Sequence, residues 1–331
     1  MPEPPYGEIW DLMKVGKVVP FLGAGASLAG RAQNVKWDAD QPGFLPNGTD
    51  LAHFLADKSS FPSVDPRDRD DLAKVASYFA EVSSRRRLRD RLRQVLAGNY
   101  PSGPLHNFLA ATPAHQVIVV TNYDTLVEQA FNAANKPYDL VVHPADRKDI
   151  ANAVLWWPYG ASEPKVRTPN ELDIDLEKTT VIYKMHGTLF RDTDKWDNFV
   201  ITEEDYIEFL SRMTTNTAVP SLFYEYFRDR SFLFLGYSLR EWNLRVVLKN
   251  LSKPSPQEWP RALTRMSPSL LGQFRIIHPN SSGYCGAIAG STSSTSRWRS
   301  SWRNCSSKYK IGYVSARFIL SLRRFAALRR S

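Results

Sequence analysis

The sequence predicts an α/β fold: a doubly wound, mainly parallel, Rossmann-like sheet with helices on both faces and a helical insert or lid. Three observations predict it. Four runs, VVPFLG, HQVIVV, TTVIYK and SFLFLG, are apolar without alternation, as strands covered on both faces should be. Between them lie longer stretches with apolar residues at helical spacing. Each run also stops at a short polar or glycine-containing cluster.

Ile9, Leu12 and Met13 recur at helical spacing ahead of Gly16, so a short helix leads the chain. The first strand runs into Gly23-Ala24-Gly25-Ala26-Ser27, and a helix is expected from about Ala26. Residues 33–50 are rich in Pro, Gly, Asn and Asp and read as a long loop, with Asp50 capping the next helix. Over 68–98, Leu72, Val75, Phe79 and Val82 line one helical face and Gly98 supplies the stop. The run Arg85-Arg86-Arg87 reads as a solvated helix surface. After the second strand, Asp124 caps a helix starting near Thr125. YDLVV and AVLWW are candidate strands, helices are expected near 203–212 and 219–228, and the fourth strand leads into a helix at REWNLRVVLKNL.

The chain has 331 residues, enough for one large domain or two smaller ones. No stretch of about 18 apolar residues occurs, which argues against a membrane span. The opening MPEPPYGEIW has no basic or apolar secretory region, so a cytoplasmic location is expected. The two cysteines, Cys285 and Cys305, lack zinc spacing. The net charge of +9 resides at the end of the chain, because from Arg275 onward there is no Asp or Glu. The main body is therefore near neutral and is not expected to bind nucleic acid directly. We expect a main domain over 1–275, with helical inserts at about 50–110 and 140–180. Residues 276–331 form a Ser/Arg-rich basic tail, with the composition of a disordered segment or of coding sequence read in a shifted frame.

In an open parallel sheet, ligands bind beyond the carboxyl ends of the strands. Gly23-Ala24-Gly25-Ala26-Ser27, Thr121-Asn122-Tyr123-Asp124, His186-Gly187 and Gly236-Tyr237-Ser238 all fall there. Each has a plainer reading. The glycine turn can hold a phosphate at a helix start, or serve a tight turn and close packing. Asn122 and Asp124 can meet a ligand or cap a helix. His186 can be a base or a satisfied turn histidine, and Gly236-Tyr237-Ser238 an ordinary strand-to-helix turn. The turn has Leu28 where the dinucleotide fingerprint has its third glycine, and it lacks the Gly-Lys-Ser/Thr of a P-loop. Neither hydride transfer nor kinase chemistry is supported.

The order of these motifs resembles the sirtuin (Sir2) superfamily. The closer match is its bacterial SIR2-like branch, through Thr121–Asp124, Lys184–Gly187 and Gly236–Leu239 followed by Glu241-Trp242-Asn243, over roughly residues 15–270. The resemblance implies an NAD+-binding sheet that cleaves the bond between nicotinamide and ribose. It implies that Gly23, Ala24, Gly25 and Ser27 cradle the pyrophosphate and that Asp124 holds the nicotinamide carboxamide. Asn122 would orient a water or ribose hydroxyl, and His186 would be the general base. Gly236 and Ser238 would contact the adenosine side, with Gly187 and Asn243 completing the cofactor-binding set. Nicotinamide leaves as a neutral ring, so a positioned nucleophile and a histidine near its ordinary pKa would suffice.

Protein-deacylating sirtuins carry a four-cysteine zinc module and a Gly-Ile-Pro-Asp-Phe-Arg run. This chain has no such cysteines and reads LAGRAQNVKW at the corresponding place. The resemblance therefore implies a zinc-free NAD+ hydrolase of the kind that depletes NAD+ in bacterial antiphage defence. Its control would come from homo-oligomerisation or a neighbour-encoded partner such as an ATPase, an Argonaute-like protein or a sensor. A catalytically silent NAD+ or ADP-ribose sensor is the alternative, and a protein deacylase stands third.

Overall fold

The computed structural model describes residues 6–29, 31, 35–40, 43–63, 65–145, 150, 152–214 and 218–236, and the backbone of a strand at 275–277. The strands, in chain order, are β1 (Val18–Leu22), β2 (Val117–Val120), β3 (Asp139–Val142), β4 (Val154–Trp157) and β5 (Lys165–Arg167), then β6 (Val181–Lys184), β7 (Gly187–Thr188), β8 (Asn198–Phe199), β9 (Ser231–Leu235) and β10 (Arg275–Ile277). All but β7 and β8, which pair with each other, form one sheet in the order β10-β9-β1-β2-β6-β3-β4-β5. The neighbours β9, β1, β2, β6 and β3 are parallel, while β10, β4 and β5 join antiparallel.

The helices are α1 (Tyr6–Lys14), α2 (Gly48–Ser59), α3 (Leu72–Val82), α4 (Arg85–Leu96), α5 (Pro104–Ala110), α6 (Leu126–Ala133), α7 (Glu203–Thr214) and α8 (Ser221–Arg228). Successive strand residues point to opposite faces. Leu22, Ile118, Val120, Ile182 and Leu235 pack with α1, α5 and α6 on one face. Phe21, Val119, Tyr183, Phe232 and Phe234 pack with α7 and α8 on the other. With both faces covered, unalternating strands are the required pattern. Pro20 is tolerated inside β1 because its missing N–H would face β2, as the Leu22 carbonyl does, and β1–β2 pairing starts only at Phe21. Leu51, Leu55, Val75, Phe79, Leu88 and Leu92 make a third core that joins α2, α3 and α4 to Phe199 and Ile201.

Several expectations are corrected. A single 3-10 turn, Ala24–Ala26, follows β1 in place of a helix, and the next α-helix starts at Gly48. Asn47 caps that helix by accepting from the Asp50 amide at 2.7 Å, and Asp50 answers by accepting from the Asn47 amide at 3.1 Å. Asp50 is thus the third residue of a capping box. Val82, the last residue of α3, is 51 % exposed, and the buried stripe is Val75, Ala76 and Phe79. Helix α4 does stop just before Gly98, at Leu96, and Gly98 also makes room for a ring: a Cβ there would lie 2.8 Å from Tyr100 Cε2. No α-helix occurs among the described residues of 140–180. As expected of AVLWW, the β-branched and aromatic Val154–Trp157 forms a strand, β4, that extends the sheet, and β5 follows.

Arg85 is also more than solvated surface. It donates to Asp205 at 2.7 Å and to the Phe199 carbonyl at 2.7 Å, and its guanidinium lies 4.1 Å from the Phe199 ring centre. Arg86 and Arg87 are exposed. No described helix is long and apolar enough to cross a membrane. The expected helix at 240–251, both cysteines and the tail beyond Ile277 lie outside the described residues.

Candidate functional site

The parallel strands β9, β1, β2 and β6 end side by side, and the polar clusters follow from those ends. What leaves β2 turns to α6 on one face of the sheet, while what leaves β6 reaches α7 on the other. Loops that diverge to opposite faces open a crevice between neighbouring strands. That point of divergence here falls between Asn122–Asp124, just past β2, and His186, just past β6. Strand pairing ends at Val120↔Lys184, so Asn122 and His186 each stand two residues beyond it.

The glycine turn and Gly236 form one unit. The Gly25 amide donates to the Gly236 carbonyl at 2.9 Å and the Gly23 amide to the Leu235 carbonyl at 3.0 Å. A Cβ on Gly25 would meet Gly236 Cα at 2.9 Å. Gly236 has φ +72°, and a Cβ there would fall 2.0 Å from the Ala26 nitrogen. The Ala26 and Ser27 amides turn inward to the Gly23 and Ala24 carbonyls. Close backbone packing is therefore a role these glycines perform, and the exposed Ala24 carries the turn's first amide.

Asn122 and Asp124 are 8 % and 7 % exposed and are joined through Ser27. Asn122 Nδ2 donates to the Gly23 carbonyl at 3.1 Å and to Ser27 Oγ at 3.0 Å. Ser27 Oγ then donates to Asp124 Oδ2 at 2.9 Å, and Asp124 Oδ1 accepts from the amide of Leu126, the first residue of α6 after its N-cap Thr125, at 3.1 Å. A backbone carbonyl can only accept, so the amide of Asn122 has a fixed orientation. Both its hydrogens are committed, and Oδ1, an acceptor, is what it offers a ligand. Ser27, expected at the pyrophosphate, is placed between the two polar side chains of the β2 loop.

His186 packs edge-on against Tyr206 at 5.5 Å and Phe209 at 5.3 Å, both from α7. Burial pushes its pKa down to about 4, although part of the residue stays open to solvent. This corrects the expectation of an ordinary imidazole. Its neighbour Gly187 has φ +84°, and a Cβ there would lie 2.2 Å from the Asn198 carbonyl, so β7–β8 pairing demands a glycine. Ser238 and Asn243 lie outside the described residues.

The sequence reading assigned no role to a buried charged group beneath the β2 loop. Lys184 is 0 % exposed; its Nζ donates to the Asp124 carbonyl and lies 3.5 Å from Glu128 Oε1. Burial raises the pKa of Glu128. His106, 1 % exposed, accepts the Gly103 amide on Nδ1 at 3.1 Å, and burial lowers its pKa. His143, at the end of β3, shares the Phe209 ring with His186 at 5.2 Å, and burial drives its pKa to about 3. Of these, only Lys184 left a signal in the sequence: a lysine inside an apolar run. No group of three metal-ligating side chains occurs among the described residues.

Residues 116–272 match the family model of the SIR2-like domain. It is 24 % identical over 249 residues to the NAD(+) hydrolase ThsA of Enterococcus faecium, covering 73 % of this chain and 41 % of that one. The corresponding figures are 28 % over 183 residues for ThsA of Acinetobacter baumannii (55 % and 31 %), and 23 % over 229 residues for that of Cytobacillus dafuensis (69 % and 37 %). The chain thus spans about two fifths or less of the curated relatives it matches.

Proposed function

We propose that this domain hydrolyses NAD+ at the nicotinamide–ribose bond, releasing nicotinamide and ADP-ribose. What supports the reading is the placement of two groups just past adjacent strand ends: Asn122, whose Nδ2 hydrogens are both committed so that Oδ1 is its acceptor, beyond β2, and His186, an imidazole neutral at pH 7, beyond β6. The NAD(+) hydrolases among its relatives supply the substrate class. Asn122 Oδ1 would accept a hydrogen from the attacking water and hold its lone pair toward the sugar carbon. As the carbon–nitrogen bond opens, the pyridinium nitrogen takes the bonding pair and leaves neutral. The water bonding to the resulting cation becomes strongly acidic, so a base with a pKa of about 4 is adequate. Gly23–Ser27 and Gly236, with Ser238 and Asn243, would bound the dinucleotide, and Asp124 would meet the carboxamide.

Unchecked hydrolysis would exhaust the host's NAD+. The reading therefore includes control by self-assembly or a neighbour-encoded partner, in a cytoplasmic bacterial effector of antiphage defence. The test is nicotinamide release from NAD+ by the protein alone and with such a partner. His186→Ala and Asn122→Ala are each expected to lower release by about 100-fold or more. Release that survives both changes removes this mechanism, and NAD+ binding without release in every state favours a sensor.

A further inference from the structure

The loop after β2 is gripped from the His186 segment at two successive carbonyls. The Tyr123 carbonyl accepts the Leu189 amide at 2.9 Å and Thr188 Oγ1 at 3.4 Å, and the Asp124 carbonyl accepts Lys184 Nζ. His186 lies on the span between these grips. One grip is mostly backbone; the other is a side chain that is wholly buried with an ion-pair partner, Glu128, whose carboxylate is also buried. For stability alone such a pair is a poor choice, because apolar side chains of similar volume in its place are often neutral or more stable. We propose that Lys184 is a positioning residue of the site: it ties the Asp124 carbonyl to the strand that carries His186, and Glu128 is the anion that compensates its burial. Lys184 acts through Asp124 and never touches substrate.

The inference deepens the NAD+-hydrolase reading and rests on it for its kinetic arm only. The variants are Glu128→Gln, which keeps the grip, and Lys184→Met with Glu128→Gln, which removes both charges together and so remains foldable. Thermal unfolding, kcat and KM for nicotinamide release, and hydrogen exchange at the Leu126 amide are measured on the full chain. The double variant is expected to unfold at or above the wild-type temperature. Its Leu126 amide, which reports the Asp124 side chain, should exchange about tenfold faster. Its kcat should fall by about 10- to 100-fold with KM changed less than about threefold, the mark of lost positioning. Glu128→Gln alone should keep wild-type exchange at Leu126. Unchanged exchange in the double variant overturns the proposal, as does unchanged kcat. If the wild-type chain releases no nicotinamide in any state, the hydrolase reading fails, and Leu126 exchange still decides the role of Lys184.

Discussion

Replacing Gly236 with Ala tests whether the glycine turn and the end of β9 are one rigid unit. The added methyl would sit 2.0 Å from the Ala26 nitrogen and 2.4 Å from the Gly25 carbonyl carbon. Both are backbone atoms, so no side-chain rotation relieves the overlap. At φ +72° the alanine also carries a left-handed penalty of about 1–2 kcal/mol. Overpacking adds about 1–3 kcal/mol, unless the turn withdraws and gives up the Gly25-to-Gly236 bond. The sum is a loss of about 2–5 kcal/mol. At about 2 °C per kcal/mol for a chain of this size, thermal unfolding should move down by about 4–10 °C. Gly48→Ala is the matched control: it opens α2, nothing lies within 4 Å, and its effect should be neutral or slightly stabilising. Calorimetry on the two variants, with nicotinamide release as a second reading, settles the matter. A Gly236→Ala protein that unfolds within about 2 °C of wild type and keeps its activity would refute the reasoning.

Arg85→Ala removes the Asp205 pair and the Phe199 contact and should cost about 2–3 kcal/mol in urea unfolding. Because α7 then loosens over His186, NMR titration should show that imidazole rising from about 4 toward its ordinary value; an unchanged value would show that α7 is held elsewhere. The folded pKa values of His143 and His186 lie below the unfolded value, so the unfolded chain binds more protons as pH falls. Their stability contribution is full above about pH 6.5 and is lost toward pH 4 and below. From pH 6.5 to 4.5 the buried His143 should account for about 2 kcal/mol, which His143→Leu abolishes; equal pH slopes in the two proteins would contradict its burial. Glu128 and Asp197, raised by burial, act in the opposite direction and cancel in that comparison. The acid limb of kcat/KM should fall near pH 4, and a limb near 6.5 would mean an ordinary imidazole.

The sheet was legible because each central strand is buried on both faces and therefore written as an unbroken apolar run. The polar clusters at the strand ends were legible for a related reason: buried runs that stop abruptly mark one edge of the sheet. What escaped was decided by distant partners. The 3-10 turn in place of a helix depends on Gly236 meeting Gly25, and no local propensity contains that contact. Arg85 looked solvated because Asp205 and Phe199 lie more than a hundred residues away in the chain. The depressed pKa of His186 comes from burial, and two rings on α7 pack against it, whose helical spacing was readable but whose placement over β6 was not.

A site at a point of divergence carries a structural cost that bears on how it is built. The backbone ladder that aligns β2 with β6 ends at Val120 and Lys184, just before the residues whose spacing matters. Beyond it the two loops head for opposite faces, and nothing in sheet geometry fixes Asn122 relative to His186. The chain meets this with bonds that cross the divide or lock each lip: Ser27 between Asn122 and Asp124, the Tyr123 hydroxyl on the Val200 carbonyl at 2.5 Å, and Lys184 beneath Asp124. Each uses a side chain where the ladder can no longer reach. A buried lysine is thus explained by topology: it stands at the last paired position, and it spans the gap that pairing leaves.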